Sequence, residues 1–371
     1  MLIGIDGRPF YGPAAGTGRY VRELCRQLDA LLPEARFRVY ANRPVVLPVS
    51  SPRWEQVSDP SSLCANMPSS AWYFARAGRL ADKDGVDVFW GSANFLPQGL
   101  PADMPAVLTL YDMVHLLYPE TMSFRNRLAY RLFFREGLHR AQRRVTISCG
   151  TAHRLQHHYG VPAHAIVTPQ ADAHFRPPLP SQVQAVHSRH DLPARYLLSV
   201  STLEPRKNLG ALIHALTELA QAGQASGLAL VLVGQRGWKN GALLNQMNAA
   251  RQYGVVILEL GYVADADLPA LYADAVAVIM PSLYEGFGMP ILEALHCGAR
   301  VIASDTPETR EAGGDAAHYI APTVPALRAA IAALWIAGEA SGSHRASAQS
   351  IPSADWQAQA TKLAQLFREL A

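Results

Sequence analysis

The chain has 371 residues, of which 49% are hydrophobic and 17% charged, with a formal net charge of +3. That balance describes two or three packed domains; it excludes a disordered chain and offers no excess of cations for coating nucleic acid. The four cysteines, Cys25, Cys64, Cys149 and Cys297, are far apart and form no C-x-x-C pair, so free thiols in a reducing cytosol are expected, not disulfides or a zinc site.

The first apolar run, Leu2 to Ile5, reads as a strand with no basic leader before it. A Gly/Pro-rich loop follows and ends Gly16-Thr-Gly-Arg-Tyr20. From about Val21 to Leu32 the apolar residues Val21, Leu24, Cys25, Leu28, Leu31 and Leu32 recur at helical spacing. Strand, glycine loop and helix form the geometry that cradles phosphates, although Gly-Thr-Gly by itself also fits a plain turn. Further apolar runs alternate with helical patterns: Phe37 to Tyr40, Val86 to Trp90, Ala106 to Tyr111, Arg144 to Ser148 and Ala165 to Thr168. Such alternation predicts a parallel sheet covered on both faces. The segment 43–70, rich in Pro and Ser, predicts an irregular connection with one short strand at most.

Ligands of open α/β sheets bind beyond the carboxyl ends of strands, which draws attention to Tyr111, Asp112 and His115. Next comes an arginine-rich amphipathic stretch, Phe124 to Arg144. Its pattern predicts Leu128, Leu132, Phe133 and Leu138 packed inward, with Arg125, Arg127, Arg131, Arg135, Arg140, Arg143 and Arg144 outward. Such a face fits either a solvated surface or a contact with anionic headgroups. Residues 176–190, opening Arg-Pro-Pro-Leu-Pro, read as a stiffened linker.

The second half begins with the strand Tyr196 to Val200, followed by Glu204-Pro-Arg-Lys-Asn208 and a helix. Cations are disfavoured at helix N-termini, so Arg206 and Lys207 together there predict a bound anion. A strand over residues 228–233 leads to Gly234, with Trp238 and Lys239 in the loop beyond and no role assigned to them. The strand Val255 to Leu260 leads to Tyr262 and Val263. Residues 275–280 form another apolar strand. Then comes Pro281-Ser-Leu-Tyr-Glu-Gly-Phe-Gly-Met-Pro-Ile-Leu-Glu-Ala294, a Gly loop carrying Glu285 and a helix start carrying Glu293 in its first turn. Arg300 to Ala303 is a further strand, and residues 355–370 form a closing amphipathic helix.

The stretch 281–294, with seven residues between Glu285 and Glu293, resembles the signature of retaining GT-B glycosyltransferases of family 4, mannosyltransferase-like members included. The resemblance implies an α/β fold of two Rossmann-like domains facing across a cleft. It places the N-terminal, acceptor domain at 1–175 and the C-terminal, nucleotide-sugar domain at 176–371, with the last helix crossing back to the first. It implies Arg206 and Lys207 on the departing diphosphate, Glu285 and the backbone around Phe287, Gly288 and Met289 on the donor sugar, and Glu293 on the ribose. Tyr262 and Val263 would meet the nucleobase, Gly16 and Gly18 the diphosphate and acceptor, and Asp112 the acceptor. No cofactor and no metal are implied, only a nucleoside-diphosphate sugar, GDP-mannose being favoured.

Relatives often carry His-Asp where this chain has Tyr111-Asp112, and Pro-Asn-Gly where it has Pro169-Gln170-Ala171. The first departure makes a changed sugar specificity an expectation. The activity implied is transfer of mannose or a related hexose to a glycan or lipid-linked acceptor in surface polysaccharide or lipopolysaccharide assembly, in the cytoplasm or at the inner face of the plasma membrane. Transfer to a small soluble acceptor, or a catalytically silent nucleotide-sugar-binding partner, fits the same residues.

Overall fold

The computed structural model describes residues 1–12, 16–59, 62–224, 227, 229–336, 351–352 and 355–371. The chain divides into two compact units. The first comprises Met1–Met113, Phe124–Gln170 and Ala354–Ala371; the second comprises Val114–Ser123 and Ala171–Ser353. The chain therefore passes between units at 113/114, 123/124, 170/171 and 353/354.

In the first unit the strands are β1 (Leu2–Asp6), β2 (Arg36–Tyr40), β3 (Trp54–Val57), β4 (Val88–Gly91), β5 (Ala106–Leu110), β6 (Arg143–Thr146) and β7 (Ala165–Ile166). Among the described residues they form one sheet in the order β3-β2-β1-β4-β5-β6-β7. Every pairing is parallel, with Ile5 opposite Val39 on one side and Trp90 on the other. Buried β5, Ala-Val-Leu-Thr-Leu, has the continuous apolar character of a strand covered on both faces. The helix Thr17–Leu31 starts four residues earlier than its apolar pattern suggested, so Gly18 lies inside its first turn. The closing helix, Trp356–Leu370, packs on this unit. It buries Ala360, Leu363, Ala364 and Phe367, sets Trp356 against Tyr20 and Phe367 against Trp90, and its Lys362 Nζ donates to the Ile166 carbonyl at 2.9 Å.

The second unit holds β8 (Tyr196–Val200), β9 (Ala229–Val233), β10 (Val256–Gly261), β11 (Ala277–Met280), β12 (Val301–Ser304) and β13 (His318–Ile320). Among the described residues their order is β10-β9-β8-β11-β12-β13, again parallel. Leu228, placed by the sequence at the head of β9, lies outside the described residues. Leu197, Leu230 and Ile279 pack with Leu212 and Leu216 of the helix Leu209–Gln221 in one buried core. Each such leucine contributes about 1.5–3 kcal/mol of burial free energy.

Sheet order sets where a ligand can bind. The chain winds outward from β8 to β10, then returns to the other side of β8 with β11. The strand order reverses between β8 and β11, and a crevice opens beyond the carboxyl ends at such a switch point. The corresponding reversal in the first sheet lies between β1 and β4.

Three expectations need correction. The linker assigned to 176–190 contains a helix, Pro180–Arg189, whose Pro180 stands in its first turn where a missing N–H is harmless. Strand β13 escaped notice because three residues carry no measurable alternation. The arginine-rich stretch is a helix with a π-helical turn, Phe124–Ala129, Tyr130–Phe134 and Arg135–Arg140, and its faces are not as expected. Phe134 and Leu138 are buried and Phe133 stacks on Phe74, but Phe124, Leu128 and Leu132 are 75%, 44% and 55% exposed. Arg125, Arg127, Arg131 and Arg135 are exposed beside them, whereas Arg140 and Arg144 turn back onto backbone carbonyls.

Candidate active site

Two loops meet at the switch point of the second sheet. The loop after β8 runs to a short 3-10 turn, Pro205–Lys207, and Asn208 then takes a left-handed conformation (φ 55°) ahead of the helix Leu209–Gln221. The loop after β11 runs from Pro281 to Gly288. Since Leu198 pairs with Val278, β8 and β11 are neighbours and their loops must converge. Backbone bonding joins them: the Leu283 N–H donates to the Arg206 carbonyl at 2.9 Å. Asn208 Nδ2 adds bonds to the carbonyls of Pro281 at 3.0 Å and Pro322 at 2.9 Å.

Within this frame the side chains form a buried ionic cluster. Lys207 Nζ lies 2.6 Å from Glu285 Oε1, and Arg206 lies 2.9 Å from Glu285 Oε2 and 2.7 Å from Glu204 Oε1. Arg206 also donates to the Tyr284 carbonyl at 2.7 Å, and Ser282 Oγ donates to Glu285 Oε1 at 2.6 Å. Glu204 and Glu285 are 5% and 7% exposed. Burial pushes the Glu285 carboxyl up, but Lys207 and Arg206, aided by the hydrogen bonds from Lys207 and Ser282, hold it at about 2. Burial lowers the Lys207 ammonium below its ordinary value, with Glu285 opposing the shift.

The sequence predicts cations waiting for an anion; the structure sets two of the protein's own carboxylates against them. A guanidinium carries five donors and an ammonium three, so a polyanion can share these cations with Glu204 and Glu285 without a bare charge at either stage. Glu204 was passed over because it reads as an ordinary helix-entry acid. Ser282, in the Pro-Ser that opens the signature, is the other participant the sequence left without a role.

Phe287 and Gly288 are buried in the same loop, and Met289 opens the helix Met289–His296. Gly288, with φ 115°, cannot be replaced without strain, and an added Cβ would lie 3.0 Å from the Ile291 side chain. Glu293 is the fifth residue of this helix and so sits in its second turn, correcting the expected first-turn position. It is 4% exposed, and Tyr272 donates its hydroxyl to Glu293 Oε2 at 2.9 Å. Tyr262, 53% exposed, and buried Val263 follow β10, the outer strand of the β8-β9-β10 run.

The remaining candidates belong to the first unit. Gly16 caps the helix Thr17–Leu31 with φ 51° and no side-chain cap, a backbone arrangement suited to an anion. Asp112 is half-buried just past β5. Tyr111 is buried, donates its hydroxyl to the Ser92 carbonyl at 2.9 Å and packs edge-on against Tyr20. Its phenol is thus engaged as a core brace. The 169–171 turn needs no left-handed residue: Gln170 folds back onto the Thr168 carbonyl and hydroxyl instead. Among the described residues, no group of three or more His, Cys, Asp or Glu is arranged to hold a metal ion, and no helix is long and apolar enough to cross a membrane.

Two parallel Rossmann-like sheets, with the last helix returned to the first unit, define the GT-B class. Solved structures share that fold. Sucrose-phosphate synthase from Thermosynechococcus elongatus superposes with a TM-score of 0.73 at 18% identity, covering 100% of this chain and 99% of that one. Anabaena HepE in complex with UDP and glucose gives 0.68 at 18% identity, covering 99% of each. The Glycosyltransferase Family 4 model matches residues 14–170, and the Glycosyl transferases group 1 model matches residues 183–341. The O-antigen chain mannosyltransferase B of Escherichia coli is 30% identical over 335 residues, 85% of each chain. The chain belongs to the family 4, group 1 glycosyltransferases, and it is a sugar-transferring enzyme.

Proposed function

We propose that this glycosyltransferase moves mannose, or a related hexose, from a nucleoside-diphosphate sugar, GDP-mannose being favoured, to a glycan or lipid-linked acceptor in surface polysaccharide or lipopolysaccharide assembly. Configuration at the anomeric carbon is retained and no metal takes part. The observation that carries the reading is the buried Arg206–Lys207–Glu285 cluster at the switch point of the second sheet. The similarity to an O-antigen mannosyltransferase over most of both chains supports the sugar and the pathway class.

In this reading the C1–O bond to the diphosphate breaks while Arg206 and Lys207 face the charge that develops on the leaving oxygens, a use of fixed cations that acts mainly in the transition state. The acceptor oxygen bonds to C1 on the same face, and its proton passes to the departing phosphate. Glu285, held ionised, accepts hydrogen bonds from hydroxyls of the donor sugar. Backbone groups at Phe287, Gly288 and Met289 complete that contact. Glu293 accepts from the ribose hydroxyls, while Tyr262 and Val263 border the base. In the first unit, Gly16, Gly18 and Asp112 are assigned to the acceptor. No residue is assigned as a nucleophile. The exposed Phe124, Leu128 and Leu132 among arginines support peripheral contact with an anionic membrane.

Thermal-shift measurements with GDP, UDP, dTDP and ADP, then with their sugars, test the donor. Turnover of Lys207→Ala with the sugar so selected tests the cluster. A loss on the order of a hundredfold or more is expected; turnover within a factor of about two of wild type would remove the diphosphate role.

A further inference from the structure

The segment Val114–Ser123 leaves the first unit after β5, belongs to the second unit over its whole length, and returns at Phe124. It folds as a short helix, Val114–Leu117, and a 3-10 turn, Pro119–Thr121. Two loops of the second unit grip it. Trp238 Nε1 donates to the Thr121 carbonyl at 2.6 Å, and Lys239 Nζ donates to the Glu120 carbonyl at 2.7 Å. At the other grip, the Tyr118 ring stacks on Tyr284, with centroids 6.3 Å apart and planes 20° from parallel.

Each grip leads to the ionic cluster. The loop that carries Trp238 is bonded to the loop after β8: the Leu203 N–H donates to the Gln235 carbonyl at 2.9 Å, and the Gly237 N–H donates to the Leu203 carbonyl at 3.0 Å. Gly237 allows that approach, since an added Cβ would lie 2.9 Å from the Thr202 side chain and 3.0 Å from the Leu203 carbonyl oxygen. Glu204 and Arg206 come next along the chain. Tyr284, on the other side, precedes Glu285, and its carbonyl accepts from Arg206. Lys239 holds a left-handed conformation (φ 55°), which a non-glycine residue keeps only where surrounding contacts fix it.

We propose that segment 114–123 is a positioning strap for the Arg206–Lys207–Glu285 cluster, and that Tyr118 and Trp238 are positioning residues for sugar transfer. Trp238 meets the Thr121 carbonyl and Tyr118 meets the Tyr284 ring; they fix the two loops whose register sets the distances between the charged groups. The inference rests on the cluster being the site proposed above. Small errors in placing a charged group are costly for catalysis, so loosening the strap lowers kcat with the ionic side chains intact.

The test compares full-length wild type, Tyr118→Ala, Tyr118→Phe and Trp238→Phe by peptide-resolved hydrogen exchange, with turnover on the selected nucleotide sugar measured in parallel. Tyr118→Ala removes the stacked ring, Tyr118→Phe keeps it, and Trp238→Phe keeps an aromatic ring of smaller size while deleting the indole N–H. Expected are exchange at least about threefold faster over 201–208 and 281–288, with strands β9 and β12 unchanged, in Tyr118→Ala and Trp238→Phe. Accompanying this, kcat falls on the order of tenfold with a smaller change in KM, and Tyr118→Phe restores wild-type behaviour. Wild-type exchange over both loops in Trp238→Phe, or a uniform rise through the whole second unit, overturns the proposal. If Tyr118→Ala does not fold, Trp238→Phe decides alone. Lys207→Ala in the same series separates the two readings: full activity there defeats the proposed cluster function, whereas exchange confined to the two loops still reports on the strap.

Discussion

Lys207 Nζ and Glu285 Oε1 stand 2.6 Å apart in a site where their side chains are only 13% and 9% exposed. Each charge makes the other tolerable. Removing one partner of a buried pair costs about 3–5 kcal/mol, because the survivor is left desolvated and unpaired. Glu285→Ala strands Lys207 and leaves Arg206 with Glu204 alone, whereas Lys207→Ala leaves Glu285 paired with Arg206. Glu285→Ala should therefore lower urea-unfolding stability more than Lys207→Ala, by about 1–2 kcal/mol. Equal losses in the two variants would mean that Arg206 is not held by Glu285.

Acid should act on the same pair. The Glu285 carboxyl is depressed from an ordinary value of 4.5 to about 2. A depressed carboxyl stabilises the fold fully above its unfolded value, and that contribution is lost as pH falls from about 4.5 toward 2. Unfolding free energy measured at pH 7, 4.5 and 3 should fall more steeply in wild type than in Glu285→Gln, which lacks the titrating group. Coincident slopes would show that the carboxyl is not depressed. For the same reason, no limb of the pH–rate profile between about pH 5 and 9 should belong to Glu285.

Arg206→Lys separates charge from shape. The guanidinium serves Glu204, Glu285 and the Tyr284 carbonyl together, and a single ammonium cannot reproduce that fork. The variant keeps the net charge, so a fall in kcat of about tenfold or more points to the fork. Wild-type kcat in Arg206→Lys would leave only the charge.

Much of this arrangement was legible in the sequence. The strand-loop-helix pattern at 275–298 and the Arg206-Lys207 pair located the cluster because both depend on local signals: an apolar run, turn residues and a helix start. The direct pairing of these cations with Glu285 was not legible, because it follows from β8 and β11 being sheet neighbours, a contact across some 78 positions. Val114–Ser123 shows the same limit, since nothing in its composition assigns it to the second unit. The outward face of Leu128 and Leu132 was misread for a different reason. Periodicity identifies an apolar stripe, and a π-helical turn at Tyr130–Phe134 shifts which stripe meets the core.

Glu293 gives a prediction confined to nucleotide binding. It accepts from Tyr272, and Tyr272 is itself fully buried. If Glu293 receives the ribose hydroxyls, Glu293→Ala should weaken nucleoside diphosphate affinity by about ten- to a hundredfold, the span of one charged hydrogen-bond acceptor. Tyr272→Phe keeps the carboxylate but loses its orienting donor, so a smaller loss is expected. Calorimetry with the diphosphate selected by thermal shift measures both. Unchanged affinity in Glu293→Ala would end the ribose assignment.

The exposed face of the Phe124–Arg140 helix segment supplies the last test. Phe124, Leu128 and Leu132 recur every four residues and stand in solvent, with Arg125, Arg127, Arg131 and Arg135 exposed around them. Each arginine near an anionic surface contributes about 1 kcal/mol, and each apolar side chain entering the headgroup boundary adds up to about 1.5–3 kcal/mol. Purified protein should cosediment with vesicles containing phosphatidylglycerol and should stay in solution with phosphatidylcholine alone. Leu128→Ser with Leu132→Ser should reduce partitioning on the order of tenfold or more even at low salt, because the apolar part does not depend on screening. Raising salt should release wild type only in part. Full release by salt, with no effect of the serines, would reduce the face to a solvated arginine surface.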